Sequence, residues 1–211
     1  MTIGHNQFRK FNATNDILIK SNMDNVKKTF LFLKENVYPY IYCYIFGTQS
    51  KISKINFATN DGDFMHMCGI KYDYEKSKDK FIYDLTKEDI NYKKLMVHSD
   101  GTTNQKFQVI SAVPYLFNSL NVCVSNEKQT RISFNYDGYI ATNKKILSIG
   151  LKNVNNNFFV PRTLLNLHTE RKQPVGEPVH TILRKHRNTK TIDIVETDNS
   201  IEFLDPSDFF K

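Results

Sequence analysis

Apolar residues in this chain follow two rhythms. Between positions 24 and 37, Val26, Phe30, Leu33 and Val37 recur at spacings of three and four, with Lys27, Lys28 and Lys34 between them. That period predicts an amphipathic helix, capped at Asn22 or Asp24 and stopped before Pro39. Tyr40–Phe46 is aromatic and β-branched and reads as a buried strand. Gly47–Ser50 supplies a turn, and Ile52, Ile55 and Phe57 predict a second strand. Asn60 or Asp61 then caps a short helix carrying Phe64, Met65, Met67 and Cys68, which Gly69 ends. Tyr72–Lys80 reads as a polar loop, and Thr86-Lys-Glu-Asp89 as a capping box opening a helix through Met96. Asp100–Thr103 is a turn and N-cap before a longer helix marked by Phe107, Ile110, Val113 and Phe117, kinked or broken at Pro114.

After Asn121 the rhythm shortens. Val122–Val124, Arg131–Phe134, Tyr139–Ala141, Ile146–Leu151 and Phe158–Val160 are strand-like runs separated by Asn, Lys and Gly turns. Pro161–Asn166 breaks the pattern, and Val179–Leu183 and Thr191–Val195 resume it. Helices first and strands later predict an α+β fold: N-terminal helices with a strand pair, followed by an antiparallel β-meander. The expected organisation is an irregular segment over 1–20, one α+β domain over 21–196 and an acidic tail over 197–211. No internal repeat is visible.

Composition narrows the class. A hydrophobic fraction of 40% with 13% aromatics affords a sizeable core in 211 residues, which excludes wholesale disorder. Cys43, Cys68 and Cys123 lie far apart with apolar neighbours and no zinc spacing, so reduced thiols in a cytosolic protein are expected. No apolar run approaches the roughly 20 residues of a membrane span. The net charge of +7 fits either a solvated surface or attraction to a polyanion such as nucleic acid. It is unevenly placed: Arg162–Lys190 carries seven Lys/Arg against two Asp/Glu, whereas Thr191–Lys211 carries six acidic residues and one Lys. Such polarity implies local charge pairing, a tail that covers a polyanion site, or a surface with no such relation.

His66 is the first candidate for acid–base chemistry, because an imidazole titrates near neutrality and its surroundings tune it. Asp61 and Asp63 lie within one turn and could orient the ring or simply cap the helix. The other reading of His66 is a structural histidine in an apolar frame. Lys106 sits near a helix start, where free N–H groups and an ammonium together suit a phosphate. Arg162 can clamp a phosphate and Thr163 can donate to a non-bridging oxygen. In the basic segment, His180 is a second acid–base candidate, with Arg171, Arg184, Lys185 and Arg187 as RNA-phosphate contacts. Two histidines with Lys and Thr would suffice for metal-free RNA cleavage. No HExxH and no Gly-rich P-loop is present, so no metal and no cofactor is expected.

The run Ile55-Asn-Phe57 … Asp63-Phe-Met-His-Met-Cys-Gly-Ile70 resembles the F-x-H-L-x-G-[IL] centre of a phage- and mobile-element-associated family of the barnase–EndoU–colicin–RelE-like nuclease superfamily. Gly101-Thr-x-x-Gln-Lys106 and Val160-Pro-Arg-Thr-Leu-Leu165 match in order, so the resemblance spans about residues 25–195. It implies helices preceding a four- or five-stranded antiparallel sheet. It also implies metal-independent RNA cleavage by a toxin, defence or counter-defence factor, with His66, Lys106 and Thr163 carried over by position. Met67-Cys68 stands where the family more often has Leu-Thr, removing a hydroxyl beside the histidine. The expected partner is RNA, with a protein inhibitor as a further partner. The alternative is a non-catalytic phage-encoded protein that inhibits a host defence nucleoprotein complex.

Overall fold

The residues Tyr40–Thr48 show how the chain is layered. Tyr42, Tyr44 and Phe46 enter the main apolar core, while Cys43 and Ile45 enter a smaller cluster on the opposite face, as the two-residue period of a strand requires. A strand buried on both faces belongs inside a sheet. The computed structural model of the protein describes residues 8–125, 136–155, 158–169, 176–202 and 205–210. In chain order the elements are β1 (Phe8–Lys10), α1 (Ile17–Ser21), α2 (Met23–Asn36), β2 (Tyr40–Thr48), β3 (Lys51–Phe57), α3 (Asp61–Cys68), β4 (Ile70–Tyr72), α4 (Ser77–Lys87), β5 (Leu95–His98), α5 (Thr102–Val109), β6 (Val122–Ser125), β7 (Gly138–Thr142), β8 (Leu147–Asn155), β9 (Phe158–Asn166), β10 (Glu177–His186) and β11 (Ile192–Thr197).

The fold class is α+β. A small antiparallel sheet has the order β1-β5-β4. The large one has the order β11-β10-β2-β3-β9-β8-β7-β6, and Glu177 and Pro178 of β10 also pair with β6. Seven strands therefore close into a barrel, with β11 attached outside the ring. Closure leaves those strands few open edges. The expected strand pair and the later strands are thus one ring rather than successive units. They are joined by a short parallel ladder, Asn56↔Phe158 and Phe57↔Phe159, between β3 and β9. The helices pack on one face of this sheet, and the main core includes Phe30, Leu33, Phe64, Phe107 and Leu164.

Several stretches differ from their sequence reading, among them Pro161–Asn166, which continues β9 instead of breaking the pattern, and Leu95–Met96, which opens β5 instead of ending a helix. The polar loop over Tyr72–Lys80 instead holds the end of β4 and the start of α4. Phe81 and Leu85 anchor that helix in the core, and the Tyr72 hydroxyl donates to Asp84 Oδ2 at 2.7 Å while accepting from Asn91 N at 2.8 Å. Thr86–Asp89 closes a helix instead of opening one. Thr86 Oγ1 donates back to Tyr83 O at 2.8 Å, and Glu88 takes a left-handed φ of 59°. Thr-x-x-Asp spacing alone does not distinguish a helix end from a start. Of the segment over 1–20 expected to be irregular, the described part from Phe8 carries β1 and most of α1. They are clamped by a fork from Arg9 to the fully buried Asp16 at 2.7 and 2.6 Å. The longer helix over Phe107–Phe117 is α5 followed by a 3-10 segment, Ile110–Leu116, that accommodates Pro114.

The strand expected at Arg131–Phe134 lies outside the described residues. Among the described residues no helix is long and apolar enough to cross a membrane. Antiparallel pairing of β10 with β11 sets basic against acidic: Arg184 meets Asp193 at 3.1 Å and His180 meets Asp198 at 2.9 Å. Beyond β11, Ile201 is buried with Cys43, Ile45 and Leu183. Lys54 and Asn56 donate to Phe209 O at 3.0 and 3.2 Å, so this end of the chain packs on the barrel.

Candidate active site

The site begins where β3 delivers the chain to α3. Asn60 precedes the helix in extended conformation, and its N–H donates to Asp63 Oδ2 at 3.1 Å; Thr59 Oγ1 donates to the same oxygen at 3.2 Å. Asp63 therefore caps the helix. Phe64, Met65, Met67 and Cys68 are buried, while His66 faces outward. Cys68 is fully buried and its thiol is pushed up to about 12 by burial. Two residues apart on a helix is roughly 200° of rotation, so the exchange of Thr for Cys falls on the core side, away from the His66 face.

Gly69 ends α3 in the left-handed region with φ 68°. A Cβ there would lie 2.9 Å from Lys106 Nζ, 3.1 Å from Lys106 Cδ and 3.3 Å from His98 Cδ2. The glycine thus allows the turn and also lets a lysine and a histidine lie directly over the backbone. Thr103 fixes this junction. Its hydroxyl donates to Gly69 O at 2.6 Å and accepts from His98 N at 2.9 Å, tying α3, β5 and α5 together.

Lys106 is only 8 % exposed. Among the described residues no carboxylate pairs with it. Burial depresses its ammonium to about 8, with Cys68 and Asp100 acting weakly the other way. The His66 imidazole is lowered by partial enclosure in the cleft and by the cations of Lys106 and Arg162, against the opposing pull of Asp63. His98 is lowered by burial and then by Lys106, with His66 and Lys71 adding to the effect. Its ring lies against that of Phe8, the residue directly opposite across β1 and β5, with ring centres 4.1 Å apart and planes tilted by 37°, and Lys71 Nζ lies 4.3 Å from the Phe8 ring centre. His66 and His98 border a cavity of about 660 Å³ that is also lined by Phe8, Asp63, Gly69, Lys71 and Asp73, among others.

Arg162 reaches the same site through an irregularity. Gly150 pairs with Thr163 and Leu151 with Pro161, which leaves Arg162 as the extra residue of a β-bulge. Bulges re-aim side chains, and this exposed guanidinium is close enough to help depress His66. Thr163 lies on the other face: its methyl sits where Gly150 leaves room beside the Tyr136 ring, and its hydroxyl donates to Leu164 O at 3.3 Å.

The structure thus gathers His66, Lys106 and Arg162, and adds His98. It sets the remaining candidates elsewhere. His180 bonds Asp198 at 2.9 Å and Ser200 at 2.8 Å. Arg187 donates to Thr59 O at 2.8 Å and Tyr40 O at 3.2 Å, and so ties β10 to the approach to α3. Seven positions separate it from His180, roughly 20 Å at the rise of a strand. Arg184 pairs with Asp193 and lies 4.4 Å from the Tyr40 ring centre; Lys185 lies 5.6 Å from that of Phe210. Arg171 lies outside the described residues. His98 carries no periodic signal, since it ends a short strand in a stretch read as helix and turn. Its one mark in the sequence is its place just before the Asp100-Gly-Thr-Thr103 turn that leads to Lys106.

Two neutral imidazoles lining one cavity, with a buried ammonium of lowered pKa and a guanidinium close enough to act on His66, can move protons and hold an anion. The carboxylates nearby are engaged: Asp63 in capping as above, Asp100 in accepting from Thr102 N and Oγ1 at 3.0 and 2.8 Å, and Asp73 with Lys94 at 3.3 Å. No curated protein and no solved structure matches the chain. A family model described as phage-Barnase-EndoU-ColicinE5/D-RelE like nuclease4 matches residues 25–200. That span holds α2 through β11 with His66, His98, Lys106 and Arg162, and the chain belongs to this family of phage-associated nuclease-like proteins.

Proposed function

We propose that the protein is a metal-independent ribonuclease of a phage or mobile element, acting in the host cytosol as a toxin, defence or counter-defence factor. The observation that carries this reading is the placing of Lys106 and His98 over Gly69, beside a cavity that His66 and His98 line and where Lys106 and Arg162 both depress His66. RNA supplies its own nucleophile, the 2′-hydroxyl, so the protein needs only a base, an acid and cations. His66, neutral at pH 7, takes the 2′-hydroxyl proton as that oxygen attacks phosphorus. Lys106, protonated below its pKa of about 8, gives a proton to the departing 5′-oxygen. The P–O5′ bond breaks and a 2′,3′-cyclic phosphate remains. Arg162 and a ring N–H of His98 bear the charge that builds on the non-bridging oxygens, where preorganised donors matter most. The donor set supports the metal-free form: His66, His98 and Lys71 line the cavity, and its carboxylates are engaged, Asp63 in the α3 cap and Asp73 with Lys94.

Incubation with RNA in EDTA, followed by analysis of the product ends, tests this. Cleavage leaving cyclic phosphate is expected. Retained RNA binding with no cleavage would favour instead a non-catalytic protein directed at a host nucleoprotein.

A further inference from the structure

A second cavity, of about 580 Å³, opens beside the 3-10 segment after α5. Tyr115 stands at its edge, 62 % exposed, facing Asn118, Asn121, Thr142, Lys144 and Ile146. Among the described residues no carboxylate lines it, an arrangement that suits an anionic chain. The Asn118 amide makes no hydrogen bond among the described residues, and Lys144 is exposed without an ion pair among them.

A path from the cleft to this cavity follows β9 beneath α5, with Gln105 and Gln108 at the surface and Asn166, 4 % exposed, buried below them. Arg162 and Asn166 lie four residues apart on β9, about 13 Å at the strand rise. Asn166 Nδ2 donates to Gln105 O at 3.1 Å and Gln108 Oε1 at 3.0 Å, which places these α5 amides over the strand next to Lys106. Asn166 pairs with Leu147, and Leu167 N donates to Ile146 O at 3.0 Å, so Ile146 of the second cavity adjoins the end of the path.

We infer that the Tyr115–Lys144 cavity is a subsite for a nucleobase of the same RNA strand, a few nucleotides from the scissile phosphate. Tyr115 is the stacking platform, the Asn118 and Asn121 amides meet the base edge, and Lys144 meets the phosphate. Every base has a π face, so such a platform adds affinity with little sequence demand. The inference rests on the ribonuclease reading for the strand it invokes, yet binding can be measured without cleavage.

The test is fluorescence anisotropy with a labelled, uncleavable 2′-O-methyl RNA of ~10 nucleotides and with a dinucleotide analogue, against wild type, Tyr115→Ala, Tyr115→Phe and Lys144→Glu. Tyr115 is exposed, so its substitution leaves the core intact. Removal of the ring is expected to weaken binding of the longer strand about tenfold, to leave the dinucleotide unchanged, and to be rescued by Phe. Lys144→Glu weakens the longer strand alone. Equal binding by all variants overturns the subsite, as does an equal loss at both lengths or no binding of the longer strand by wild type. Length-dependent loss in a protein that cuts no RNA upholds the subsite and removes the nuclease reading.

Discussion

Lys106→Met separates what the fold wants from what the site needs. The ammonium is 8 % exposed and has no carboxylate partner among the described residues. Its fall from lysine's ordinary 10.5 to about 8 corresponds to about 3 kcal/mol of native-state cost, at roughly 1.4 kcal/mol per pH unit. The sign follows from proton linkage. Below about 8 both folded and unfolded chains carry the proton, and the full cost is present. Between about 8 and 10.5 the folded chain sheds it first, so the cost shrinks as pH rises; above 10.5 it is gone. Methionine keeps the length and removes the charge. It should stabilise the protein at neutral pH by about 1–3 kcal/mol and abolish cleavage. In urea titrations the midpoint should move up by on the order of 1 M, and the gap from wild type should narrow as pH climbs towards 10. A variant less stable than wild type, or a gap independent of pH, would refute the claim that Lys106 is a desolvated cation held for function.

Three further outcomes follow from the same geometry. The rate should describe a bell in pH: it rises as His66 loses its proton below the ordinary histidine value and falls as Lys106 loses its own near 8, and Lys106→Arg should move the alkaline limb beyond the measurable range. Gly69→Ala should cost about 1–2 kcal/mol from the left-handed backbone and displace Lys106, so activity should fall more than a thermal melt would suggest. Phe8→Ala removes the ring packed against His98; NMR titration should show the His98 pKa moving up towards its ordinary value, with turnover down roughly tenfold or more and the fold intact.

Much of this was legible in the chain, for identifiable reasons. α2, β2, β3 and α3 depend on local period and caps, and those signals are complete in the sequence: Val26, Phe30 and Leu33 for the helix, Asn60 and Gly69 for the ends of α3. Closure of the barrel depends on β3 meeting β9 and β10 meeting β6, contacts about a hundred and about fifty residues apart that no local pattern records. His66 and Lys106 were marked by motif and helix position, whereas His98 becomes significant only when Thr103 and Gly69 draw β5 beside α3. Thr163 and Arg162 are neighbours in sequence but fall on opposite faces, as the two-residue period of a strand requires, so only one of the pair can reach the cleft. His180 stands in a basic stretch that reads as a polyanion site, yet the pairing of β10 with β11 matches it to Asp198.

The most direct test of the acid–base cleft compares RNA cleavage in EDTA by wild type, His66→Ala, His98→Ala and His180→Ala, with circular dichroism on each. Losses of about a hundredfold or more for His66→Ala and His98→Ala, with His180→Ala near wild type and all spectra matching, are the predicted result. Full activity in His66→Ala or His98→Ala, or loss confined to His180→Ala, would contradict it.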